Sequence, residues 1–141
     1  MHDFFQNIGI TINGITHLSP KETYKMCMDE ALLVDIREDF EIMAKQFDVK
    51  NIVYIPKSVF RENYTMLPKD KAVIIADSVG LRSKEVVIFL RQTGYGNIAN
   101  LNGGITDWEK DKLPMFIDKK EMLTGSCLCQ LRPKKKFNKE K

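Results

Sequence analysis

LPKDKAVIIADSVGLRS, residues 67–83, is the stretch on which the fold turns. Its centre, residues 72–76, is apolar at every position. That marks a strand buried on both faces of a parallel sheet, where the in-out alternation of a half-exposed strand disappears. Directly after it come Asp77, Ser78, Val79, Gly80, Leu81, Arg82 and Ser83. Val86, Phe89, Leu90 and Thr93 then recur at helical intervals, and Gly94 offers the left-handed residue that commonly ends a helix. A buried strand that feeds a helix through a short polar loop is one unit of an open α/β fold.

Outward from this unit, three more short apolar runs, residues 32–36, 52–55 and 98–101, read as strands, with helical spacing between them. Ser19-Pro20-Lys21-Glu22 offers an N-cap, a proline at the first helical position and a glutamate three residues after the serine, so a helix is expected through Met28. Residues 38–47 read as a helix packed on the sheet, with Phe40, Met43, Ala44 and Phe47 on one side. A short last helix, 105–111, follows Gly103-Gly104 and carries Trp108, expected in the core.

The 141 residues suit one compact domain, and 43% hydrophobic with 29% charged residues excludes wholesale disorder and fibrous classes. No run approaches the roughly 18 apolar residues of a membrane span, and the start lacks a secretory pattern. Three sparse cysteines argue against an oxidised framework, so a reducing cytoplasm is expected. From Asp118 onward there are eight Lys/Arg against three Asp/Glu, a net of +5 within a total of +3, which leaves −2 for residues 1–117. The organisation expected is an extension over 1–14, a domain over 15–117, and a basic, mobile tail over 118–141. A mildly acidic body and a tail with little aromatic interleaving predict neither nucleic acid nor membrane as a partner.

In open α/β sheets, ligands bind beyond the carboxyl ends of the strands. Three such ends carry polar residues: Asp35 with Arg37, the loop 77–83, and 102–104. Inward-turned amides of the central loop, with the helix dipole, would make a cradle for an anion. Asp35 and Arg37 are candidates for its rim, or for an Asp–Arg link that orders the following turn. Gly103-Gly104 permit a tight strand-to-helix turn. His2 and His17 have no recognisable partner, no metal or cofactor is expected, and Cys27 reads as a small core residue.

The features LLVDIRED from Leu32, the pair Ile55-Pro56, the 67–83 stretch, TGYGNIANLNGGITDW from Thr93 and LPM from Leu113 together resemble the rhodanese-like family over about residues 15–117. The resemblance implies a parallel five-stranded sheet flanked by helices and an active loop of the form Cys-x4-Arg, whose cysteine carries sulfur as a persulfide. Arg82 matches the loop arginine, and Asp77 stands where the cysteine would be. A second departure is FDVKN from Phe47, where Asp48 replaces a histidine common in relatives.

Sulfur transfer needs a soft atom that attacks the donor sulfur and later gives it up; a thiolate does this and a carboxylate oxygen does not. The expectation is therefore a rhodanese-like domain without thiosulfate sulfurtransferase activity, acting as a binding or regulatory module toward an unidentified protein partner. In this reading Asp77 plugs the anion cradle and pairs with Arg82, and a small external anion binds only weakly. The alternative is a sulfurtransferase, sulfur-relay or redox protein that uses Cys127 and Cys129. Two cysteines alone cannot complete a four-ligand zinc site.

Overall fold

A computed structural model of the chain describes residues 3–118. Strand β1 (Ile10–Ile12) turns back antiparallel onto β2 (Ile15–Leu18), and helix α1 (Pro20–Met28) follows. Ser19 caps α1 by accepting from the Glu22 amide while the Glu22 side chain accepts from the Ser19 amide, the reciprocal box expected from the sequence. Strand β3 (Leu32–Asp35), helix α2 (Asp39–Ile42), β4 (Lys45–Phe47) and β5 (Ile52–Tyr54) come next. Helix α3 (Phe60–Asn63) leads to β6 (Val73–Ala76), α4 (Leu81–Gln92), β7 (Ile98–Leu101), α5 (Gly104–Lys110) and β8 (Met115–Ile117).

The central sheet has the order β1-β2-β7-β6-β3-β5. The five strands from β2 to β5 are all parallel, as expected, and β1 adds an antiparallel edge. All four residues of β6 are buried, because β6 lies between β7 and β3 with side chains packed on both faces. On one face Leu18, Leu33, Ile74 and Leu101 pack with Trp108 of α5; on the other Val34, Val73 and Ile75 pack with Val87 and Leu90 of α4. Two cores thus share one sheet.

The helix expected over 38–47 is not formed as such. Only Asp39–Ile42 is helical, and Lys45–Phe47 is a strand paired antiparallel with β8. The guanidinium of Arg37 donates to the carbonyls of Glu41 (3.2 Å) and Lys45 (3.0 Å), acceptors that a continuing helix would use for its own amides. Phe40 is left 67% exposed, while Phe47 packs edge-on against Trp108 with ring centroids 5.0 Å apart. The residues of β8 that divert the chain lie far along the sequence, so the apolar spacing of 38–47 carried no sign of them.

Candidate functional site: the loop between β6 and α4

The loop 77–83 leaves β6 from between two neighbouring strands and enters α4 through Gly80, whose φ of +97° a side chain would strain. Its carbonyls are fixed from the far side: the Ile105 amide donates to the Asp77 carbonyl at 2.9 Å and the Thr106 amide to that of Ser78 at 3.1 Å. This anchoring needs close approach, since a Cβ on Gly104 would lie 2.5 Å from both of those oxygens. With carbonyls turned toward α5, the loop amides turn the other way.

They converge on the side chain of Asp77, which is completely buried. One carboxylate oxygen accepts from the amides of Arg82 (2.8 Å) and Ser83 (3.2 Å), the other from the amide of Gly80. Each donor belongs to the first turn of α4 or its cap, where backbone amides have no partner within the helix and the dipole favours negative charge. Three backbone amides of the loop thus converge on one carboxylate of the chain itself.

Arg82 lies over the loop with a different main partner from the one expected. Its guanidinium grips Glu41 of α2 in a two-pronged pair at 3.0 and 2.9 Å and also donates to the Ser78 hydroxyl at 3.2 Å, whereas its Nε is 3.7 Å from the Asp77 carboxylate. Burial is the largest single influence on Glu41 and works against its ionisation, but the hydrogen bonds from Arg82 and the Glu38 amide, with the charges of Arg82 and Arg37, together outweigh it and hold the carboxyl below its ordinary range. The same bond raises Arg82. Glu41 was not singled out in the sequence, because the contact spans 41 residues.

Beneath the loop runs a polar chain. The Ser83 hydroxyl lies 3.4 Å from Asp77 and donates to the side-chain oxygen of Asn100 on β7, and the Asn100 amide group meets Nδ1 of His17 on β2 at 3.1 Å. His17 therefore does have a partner, contrary to expectation; it went unseen because β2 was not recognised as a strand, and only β2–β7 pairing sets His17 opposite Asn100. Burial, and next the charge of Lys84, lower the His17 pKa.

Asp35 and Arg37 are both buried and face each other, with Nε at 3.1 Å and Nη2 at 2.9 Å from the carboxylate. Their contacts are with each other and the α2–β4 connection, not with the loop amides. Val79 and Leu81 point outward and are exposed. Cys27 faces the core from α1, its thiol pushed up to about 12 by burial, which makes it a poor nucleophile. Cys127 and Cys129 lie outside the described residues, as does His2. Among the described residues no group of three or more His, Cys, Asp or Glu is placed to hold a metal, and no helix is long and apolar enough to cross a membrane.

A family model for the rhodanese-like domain matches residues 19–111. A sulfurtransferase of Allochromatium vinosum is 36% identical over 87 residues, covering 62% of this chain and 79% of its own. Among solved structures, a rhodanese-related protein of Thermoplasma volcanium superposes with a TM-score of 0.65 at 29% identity, over 72% of this chain and 98% of that one. The polysulfide-sulfur transferase homodimer of Wolinella succinogenes also gives 0.65, at 27% identity over 72% and 78%.

Proposed function

This chain belongs to the rhodanese-like domain family, and from that premise we propose that it is a member without thiosulfate sulfurtransferase activity, working as a binding or regulatory module whose loop is closed by its own Asp77. One observation carries the reading: a buried carboxylate takes the amides of Gly80, Arg82 and Ser83, where the family pattern Cys-x4-Arg would set a thiol five residues before Arg82.

In the family reaction a thiolate attacks the outer sulfur of thiosulfate. The S–S bond breaks, sulfite leaves with its electron pair, and the sulfur stays on the cysteine until a second thiophile takes it. Asp77 has no sulfur to form that bond, and its charge already fills the space in which the donor's anionic group would be held. Weak binding of external oxyanions follows, since each would have to displace a covalently tethered competitor.

Incubation of the full chain with thiosulfate and cyanide, followed by thiocyanate release and intact mass, tests this. No turnover and no sulfur adduct are expected. A persulfide on Cys127 or Cys129 with turnover would replace this reading by the sulfur-relay one. A companion variant, Asp77→Cys, is expected to gain a sulfur adduct at position 77, because the cradle that lowers a thiol pKa stays in place; an inert thiol there would mean that the loop itself has lost its capacity for this chemistry.

A further inference from the structure

Helix α4 packs over β6 and β7, so the sheet continues past it at the β1 end. Across the β1–β2 hairpin Ile10 sits opposite His17 and Ile12 opposite Ile15, which puts these four side chains on one face. That face borders a groove of about 900 Å³ whose other wall is α4. Its apolar flanks are open to solvent: Ile12 is 54% exposed on the strand side and Leu81 69% on the helix side. Exposed apolar walls facing one another across a concave trough mark an interaction site rather than an ordinary surface.

The charges in the groove have one free sign. Glu22 lines it, but its two oxygens are taken by the amides of Ser19 (2.9 Å) and Gly9 (3.2 Å). Lys84 and Arg91 line it too, and neither makes an ion pair among the described residues. Seven residues apart on one helix, they stand about 10.5 Å from each other, close to two turns. Among the described residues the strip beside α4 is thus an open apolar trough edged by two cations two turns apart.

We propose that this groove is the docking site for an acidic amphipathic helix of a partner protein, its apolar stripe against Ile10, Ile12, Leu81 and Ile88 and two carboxylates, two turns apart, on Lys84 and Arg91. The chain's own residues from Asp118 onward carry the same sign as the groove, eight Lys/Arg against three Asp/Glu, so they do not supply the complement. A second copy docked face to face by two-fold symmetry would set these cations against themselves. The proposal stands apart from the reading of the Asp77 loop and survives its failure.

The probe is a synthetic helix about four turns long, built from Leu, Ala and Glu with glutamates two turns apart beside a leucine stripe. Its counterpart has every Glu changed to Lys. Fluorescence anisotropy with the full chain is expected to give saturable binding of the acidic peptide, weakened by salt, and at least tenfold weaker binding of the basic one. The double variant Lys84→Glu/Arg91→Glu is expected to reverse that order. Ile12→Glu, at an exposed position, is expected to remove binding of the acidic peptide without changing the thermal unfolding midpoint. Absence of saturable acidic-peptide binding, equal affinity for both peptides, or an order unchanged in the double variant would overturn the proposal. So would a dimer in sedimentation equilibrium that Ile12→Glu dissociates, because the groove would then belong to a second copy.

Discussion

Two neighbouring strands of this sheet end in a buried aspartate, and the two carboxylates are neutralised by different means. Asp35 closes β3 in register with Ala76, the last residue of β6, and Asp77 follows Ala76 directly. It faces a side-chain cation, Arg37, whose remaining donors go to backbone carbonyls of residues 41 and 45. Asp77 faces backbone amides of a helix start. Removing the acid leaves the buried base without a carboxylate to balance its charge. Amides at a helix start stay where the backbone puts them, and they accept any anion that fits. The first arrangement is a brace for the α2–β4 connection, and the second is, on the function proposed above, an anion site filled from within.

That contrast can be broken most directly at Asp35. Asp35→Ala leaves a buried, unpaired guanidinium and is expected to cost about 3–5 kcal/mol in denaturant unfolding. No added anion should recover it, because the space is enclosed. A loss under about 1 kcal/mol would mean that Arg37 finds water, and the two sites would no longer differ in kind.

Asp77→Ala is expected to cost less, about 1–3 kcal/mol, the range for amides left without an acceptor. Here added sulfate is expected to raise the unfolding midpoint of the variant well above any effect on the parent chain, since a ligand that binds only the folded state stabilises it by mass action. Equal sulfate effects on both proteins would deny that the vacated cradle takes an external anion.

A smaller change is expected at the mouth of the loop. Glu41 and Arg82 are both partly exposed, so Glu41→Gln should cost about 1 kcal/mol or less once solvent screening is allowed for. Burial alone would raise the Glu41 pKa, but the Arg82 and Glu38 hydrogen bonds and the Arg82 and Arg37 charges together lower it, so the folded state binds this proton less readily than the unfolded chain. Its stabilisation is thus present above the ordinary glutamate value of ~4.3 and is lost as pH falls through the lower folded value. Unfolding measured against pH should show Glu41→Gln with a shallower acid limb than the parent.

The smallest effect belongs to His17. Burial first, and Lys84 second, lower its pKa, so folding favours the neutral ring, whose Nδ1 can accept from Asn100. The associated stability is complete above the ordinary value of ~6.5 and declines as pH falls from there through the lower folded value. His17→Gln should flatten that slope, and nitrogen shifts of the ring should report Nε2 as the protonated atom at neutral pH.

The parts of the site that were legible in the sequence are those made by consecutive residues. The all-apolar residues 72–76 gave a doubly buried strand, Gly80 and Ser83 a loop that runs into a helix, and Asp77 and Arg82 the two side chains at its ends. Local patterns failed where a partner lies far along the chain. Lys45–Phe47 follows helical spacing and yet forms a strand, because Met115–Ile117 supplies its hydrogen bonds. The hairpin strand Ile10–Ile12 is too short and too exposed to announce itself by burial.

The positions of the buried strands along the chain, the capped first helix and the chemical kind of the residue at position 77 follow from the sequence itself, because hydrophobic period, capping and nucleophile identity are properties of neighbouring residues. Which donors reach Asp77, that Arg82 grips Glu41 across 41 residues, that His17 meets Asn100, and that Lys84 and Arg91 overlook an uncovered apolar face were decided only when the chain closed on itself. Contacts of that kind depend on strand order and on the placing of helices over the sheet, and those are set by the packing of the whole core.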